Sequence, residues 1–272
     1  MKRALYSIDD EEFMALIERT GQTLSQRAIP YMFVGGVATQ THIVNYLCKK
    51  EGTTLQDLSH SPNFRIQDHL RATDDIDITL DARILDEEGS NKVRVSQEIM
   101  EALKEIEGEG VYESPSGEHL VSMKLERLGS KRPVFRLGLD READSPDSEV
   151  SLNLYYGPND TNNRWPSEMV EFEKANYFDF FETATDIQIP FTQDRKVRLL
   201  VKGPEQLLAT KIARAREKDW TDMLLLYRHA NESGNSIDLK EVEQLLSARD
   251  PRYHVTNDNL INRFKKFKYL IK

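Results

Sequence analysis

The run Arg71-Ala72-Thr73-Asp74-Asp75-Ile76-Asp77-Ile78-Thr79-Leu80-Asp81 decides how this chain is read. Ile76, Ile78 and Leu80 alternate with polar residues, which is the period of a half-buried strand. Residues i and i+2 of a strand share a face, so Asp75 and Asp77 project together with Cα atoms roughly 6–7 Å apart. Like charges this close raise each other's pKa and are costly to hold together without a cation. A hard divalent ion such as Mg²⁺ relieves that repulsion and also holds a nucleotide's phosphates. Asp-x-Asp occurs as solvated acidic surface too, so the flanking sequence has to discriminate.

Upstream, Tyr31-Met32-Phe33-Val34 follows Pro30 as a short apolar run and predicts a buried strand ending in Gly35-Gly36. Helical character resumes from Ala38 to Lys50. A chain leaving a strand through glycines into a helix aims bare N–H groups and a positive helix end at one small volume, where phosphate fits. A plain tight turn is the other reading of the two glycines. Ser7 and the acids from Asp9 to Glu12 open an earlier amphipathic helix carrying Phe13, Leu16, Ile17, Thr20 and Leu24. Gly52 to Leu70 is polar and irregular and reads as an insertion or a mobile loop.

Downstream, Asn91 to Ile106 predicts a helix with Ile99 and Leu103 on its apolar face. Three alternating runs, His119 to Leu125, Val134 to Leu139 and Val150 to Tyr155, predict successive antiparallel strands. Acidic 140–149 and polar 157–166 read as loops. Glu168 to Glu182 is ambiguous, and its Phe172, Tyr177, Phe178, Phe180 and Phe181 read as packing. Ile187 to Pro190 and Val197 to Val201 predict short strands. Lys202-Gly203-Pro204-Glu205 is a boundary, with Pro204 suited to a first helical position. The expected architecture is α+β: a mixed sheet flanked by helices over residues 1–202, then a helical bundle over 203–272 that contributes to the site.

In that second part Lys211 and Arg214 lie three apart and share a helix face. Lys218-Asp219-Trp220-Thr221-Asp222 follows, and Asp219 falls near the apolar side set by Leu208, Ile212 and Met223. A carboxylate there has to be capped, paired or functional. In the bland account Asp219 caps the next helix, with Asp222 at N3, and Lys211 and Arg214 form a solvated face. In the functional one, the cations offset the remaining charge of a triphosphate held at the acidic strand.

The balance of 37 Lys+Arg against 46 Asp+Glu gives a net charge of −9 and argues against coating nucleic acid through bulk electrostatics. Residues 203–272 hold 13 basic and 10 acidic residues, a net of +3, which leaves −12 for the preceding part. Cys48 alone permits no internal disulfide and reads as a small buried apolar residue. No secretory h-region and no run near 18 apolar residues is present, so a soluble cytoplasmic protein with no membrane partner is expected.

Phe33-Val34-Gly35-Gly36, Arg71-x-Thr73-x-Asp75-Ile76-Asp77-Ile78, Glu205-x-x-Leu208-x-x-Lys211 and Lys218-Asp219-x-x-Asp222 together resemble the AbiEii-type toxin branch of the nucleotidyltransferase superfamily. The resemblance implies a polymerase-beta-like nucleotidyltransferase fold and Mg²⁺-dependent transfer of NMP from an NTP, with Mn²⁺ as the substitute ion. It implies Asp75 and Asp77 as metal ligands and Gly35 and Gly36 at the triphosphate. Arg71, Thr73, Lys211 and Arg214 would bind nucleotide, with Asp219 as an active-site acid. The implied acceptor is the 3′ end of tRNA, and the implied partner a cognate antitoxin. Transfer to a protein or small molecule, and a non-catalytic nucleotide-binding module, are the alternatives. Two features depart from the pattern: the spacing from Gly36 to Asp75 is long, and Asn153 stands where a third carboxylate is usual. Asparagine ligates metals but is no general base. Basic Arg263-Phe264-Lys265-Lys266-Phe267-Lys268 offers an RNA contact, or a surface helix with Phe264, Phe267 and Leu270 turned inward.

Overall fold

The computed structural model describes residues 5–81, 83, 92–105, 111–118, 120–128, 132–139, 149–155, 167–248 and 258–272. The acidic stretch 140–148, the polar stretch 157–166 and the side chain of Phe178 lie outside them. The architecture is α+β, as the alternation of elements predicts. Eight strands among the described residues form one mixed sheet, in the order β3-β4-β5-β6-β2-β1-β8-β7. In chain order they are β1 (Tyr31–Val34), β2 (Asp75–Leu80), β3 (Val111–Glu113), β4 (Leu120–Leu128), β5 (Arg132–Leu139), β6 (Glu149–Tyr155), β7 (Thr185–Pro190) and β8 (Lys196–Val201).

The acidic strand sits mid-sheet. β2 runs antiparallel to β1 and parallel to β6, while β1 runs parallel to β8. The meander β3-β4-β5-β6 is antiparallel, as the three alternating runs predict, with β3 as an additional edge strand.

Helix α1 (Glu11–Gln26) buries Phe13, Leu16, Ile17, Thr20 and Leu24. It starts at N-cap Asp10 rather than at Ser7, whose N–H is accepted by the Asp10 carboxylate. Helix α2 (Gly35–Glu51) begins at the first glycine and is buried along most of its length. The expected loop from Gly52 to Leu70 is instead ordered: it contains α3 (Leu55–His60) and a 3₁₀ turn at Ile66–Asp68. Four apolar side chains scattered through its polar sequence, Leu55, Leu58, Ile66 and Leu70, are buried and hold it down. Helix α4 (Lys92–Lys104) packs on α1, and its Ile99 and Leu103 are buried. The ambiguous aromatic stretch is α5 (Ser167–Glu182), with Phe172, Tyr177 and Phe180 buried.

Pro204 opens α6 (Pro204–Arg214), followed by α7 (Glu217–Glu232), α8 (Leu239–Ser247) and α9 (Asp258–Leu270). α6 and α7 pack on α2, and α6 also packs on α5, α8 and α9. In α9 Phe264 and Phe267 are fully buried, but Leu270 is exposed. Lys265 and Lys266 face outward. No helix among the described residues is long and apolar enough to cross a membrane.

Candidate active site

Val34 stands opposite Asp77 in the β1·β2 ladder, so the chain leaves β1 directly beside the acid. Gly35 has φ +64°, and a Cβ there would sit 2.4 Å from Asp77 Oδ2. Glycine is therefore required both by the left-handed backbone and by the space. A Cβ on Gly36 would meet Thr73 Oγ1 at 3.1 Å, and that hydroxyl donates to Asp75 Oδ1 at 2.6 Å. No side chain caps the start of α2 at Val34. Its first turn thus opens beside the Asp77 carboxylate, as the strand-glycine-helix reading requires.

The segment carrying Arg71 and Thr73 is pinned from two sides. Thr73 exchanges backbone hydrogen bonds with Tyr6, and buried Gln40 of α2 donates to the Arg71 carbonyl while accepting from the Ile8 N–H. On the other flank of β2, parallel register places Asn153 opposite Asp77. Asn153 Nδ2 donates to Asp77 Oδ1 at 2.8 Å, and the Tyr155 hydroxyl donates to the same oxygen at 3.3 Å. Asp77 is only 9% exposed. Burial and the neighbouring Asp75 charge push its carboxyl above the usual range, against those hydrogen bonds and the charge of Arg214. Burial, with Asp77 second, pushes the Tyr155 hydroxyl up.

The second half of the site comes from the break between α6 and α7. Ala215 adopts the left-handed conformation, φ +49°, and ends α6. Across that break Lys211 Nζ lies 2.6 Å from Asp222 Oδ2. Arg71 meets the same carboxylate with two bonds, Nε to Oδ1 at 2.8 Å and Nη2 to Oδ2 at 3.1 Å. Asp222 is 2% exposed and joins the acidic-strand segment to both helices. Lys211 is 4% exposed, and burial lowers its pKa against the opposing charge of Asp222. Asp219 is not the cap of α7: Arg216 is the N-cap residue and Asp219 sits at N3. Arg216 donates to it through Nε at 2.8 Å and Nη2 at 2.9 Å. Burial alone would raise the Asp219 carboxyl, but Arg216, then Lys211 and Arg214, hold it below the usual range.

The two halves lie within electrostatic reach of each other. Arg214 acts on Asp77, Asp75 acts on Arg71, and Asp77 and Asp75 both act on Arg216. Sequence reasoning missed Asp222 as the hub, Tyr155 as a donor to Asp77, and Arg216. Tyr155 follows Asn153 by two residues on one strand, so the period-two rule would have found it.

Among the described residues no group of three or more His, Cys, Asp or Glu side chains forms a metal site. Two converging carboxylates nonetheless suit Mg²⁺, which uses one or two carboxylates and completes its shell with water and substrate phosphates. The buried Asn153 Oδ1 has no hydrogen-bond partner, which adds an acceptor oxygen beside the pair.

No protein-family model matches the chain, and no curated protein sequence matches it. Among solved structures, an antigenic nucleotidyltransferase-like protein from Paracoccidioides brasiliensis aligns at 16% identity over 98% of this chain and 94% of its own, with a TM-score of 0.47. The antibiotic-resistance factor ANT(2'')-Ia aligns at 14% identity over 95% of this chain and 96% of its own, with a TM-score of 0.38. These values assign no family to the chain.

Proposed function

We propose that the protein is a nucleotidyltransferase that takes an NTP with Mg²⁺ or Mn²⁺, moves the NMP to an acceptor hydroxyl and releases pyrophosphate. The observation that carries this reading is the contact between Gly35 and Asp77, which sets a two-carboxylate strand against the uncapped start of a helix. Asp75 and Asp77 would hold the divalent ion, which when bound supplies charge neutralisation and alignment at the triphosphate. The N–H groups around Gly35 and Gly36 face the phosphates. Arg71, Lys211, Arg214 and Arg216 offset the charge that builds on the leaving pyrophosphate. Asp222 orients the first two of these and Asp219 the last. The acceptor oxygen bonds to the α-phosphorus as the bond from that phosphorus to the α,β-bridging oxygen breaks, pyrophosphate leaves with that oxygen, and the hydroxyl proton passes to water.

On the motif resemblance, the acceptor is the 3′ end of tRNA and the setting a toxin with a cognate antitoxin. The helical segment 203–272 acts as a unit that completes the site. A second reading, a nucleotide-binding module without transfer, is favoured by Asn153, which supplies no carboxylate, and by the ion pairs that occupy Asp219 and Asp222. Incubation with Mg²⁺ and each α-³²P-labelled NTP, with and without bulk tRNA, separates them. Label on tRNA supports the first reading, and nucleotide bound without transfer to any acceptor supports the second. Asp77→Asn abolishes transfer; label moved at the wild-type rate by that variant refutes the site.

A further inference from the structure

The two oxygens of Asp77 are unequally engaged. Its Oδ1 already receives the Asn153 amide at 2.8 Å and the Tyr155 hydroxyl at 3.3 Å. Oδ2 instead lies against Gly35, at the opening turn of α2 where the phosphates belong. Asp75 is engaged in the same way, its Oδ1 accepting the Thr73 hydroxyl at 2.6 Å. Ions in two-metal phosphoryl-transfer sites sit about 3.5–4 Å apart. A carboxylate that shares its charge between two such ions lends one oxygen to each.

The charge count agrees. The residue opposite Asp77 in the parallel ladder is a neutral amide, so before the nucleotide adds its own charge the strands bring two formal negative charges where a third carboxylate would bring three. The positive charge of Arg214 also acts on Asp77 and further disfavours a second cation there.

Resting on the transferase reading above, we infer that this site takes a single divalent ion with its nucleotide. Asn153 is the positioning residue that keeps a second ion out, because its N–H occupies the oxygen a second ion would use. An aspartate there removes the donor and adds a charge, which opens the second position.

Ion counting tests this without any turnover. Full-length protein is mixed with an equimolar α,β-methylene analogue of each NTP, Mn²⁺ is titrated in, and the ions retained by the complex after removal of unbound analogue are counted by electron paramagnetic resonance. The expected result is one Mn²⁺ per wild-type chain and two per Asn153→Asp chain. Two ions in the wild type overturn the inference and leave the transferase reading standing. One ion in both proteins, with Asn153→Asp folded by circular dichroism, overturns the role of Asn153. A wild-type chain that retains neither analogue nor Mn²⁺ overturns the inference and the transferase reading together. If Asn153→Asp does not fold, the wild-type count still decides between one ion and two.

Discussion

Gly35 tolerates replacement poorly. At φ +64° an L side chain costs about 1–2 kcal/mol, and the 2.4 Å approach to Asp77 Oδ2 forces the carboxylate aside as well. Gly35→Ala is expected to lower the melting temperature by several degrees and to remove nucleotide binding; an unchanged melt with intact binding would contradict the turn. Asp222 is the second sensitive position, because two cations depend on it. Removing one partner of a buried ion pair costs roughly 3–5 kcal/mol. Asp222→Asn should lose stability on that scale in urea, whereas Lys218→Ala, in the same motif but exposed, should stay within about 0.5 kcal/mol. Equal losses from both would mean that the motif, not the ion pairs, stabilises α7.

At the scale of elements, the join between α6 and α7 is held by a strained residue. Ala215 has φ +49°, and glycine relieves about 1–2 kcal/mol there at an entropic cost near 0.4–1 kcal/mol. Ala215→Gly should therefore stabilise by about 0.5–1 kcal/mol; a lower melting temperature would falsify this account of the join. The segment 69–71 is clasped to α7 twice, by Arg71 on Asp222 and by His69 Nδ1 facing His229 Nε2 at 3.1 Å. His229, faced also by Glu232, Arg228 and Lys50, is held neutral, and burial lowers its pKa to about 4. Burial does the same to His42 of α2, which bonds the Lys202 carbonyl.

The unfolded chain takes up a proton at each of these histidines near 6.5, while the folded chain does so only near 4. Stability is therefore lost as pH falls from about 6.5 toward 4, by up to roughly 3 kcal/mol for each group. His229→Gln should shrink the drop in urea midpoint between pH 7.5 and pH 5; an unchanged drop would remove His229 from the account. These elements were unequally legible. The alternation in β2 and the glycines after Val34 mark the acidic strand and the turn beside it, because strand period and turn chemistry are local. Asp222 gathers Lys211 across the turn between two helices and Arg71 from 151 residues away, and local period cannot show the second. Arg216 at an N-cap escaped because arginine is not among the residues that favour that position. The ordering of Gly52 to Leu70 rests on two short apolar pairs, Leu55 with Leu58 and Ile66 with Leu70, each at helical spacing but too brief to stand out from the polar residues around it.

For the whole molecule, the split charge matches the proposed site: the strongly acidic first part carries Asp75 and Asp77, and the net-positive last part carries Lys211, Arg214 and Arg216. A ligand that bridges both should stabilise the entire fold. Mg²⁺ with the correct NTP at a hundredfold excess over Kd is expected to add about 2.7 kcal/mol. Asp77→Asn should erase that gain without lowering the melting temperature of the free protein, since it removes a buried charge that burial and Asp75 already oppose. A full ligand shift in that variant would move the ion elsewhere. The chain order of the pieces also has a consequence during synthesis. Asn153 emerges 76 residues after Asp77, so at about 5–20 residues per second the outer edge of β2 waits on the order of 4–15 seconds for its partner strand. Through that interval its two carboxylates discourage pairing with another nascent chain. The hub Asp222 emerges later still, so a chain that stops before it lacks the carboxylate that holds Arg71 and Lys211 together.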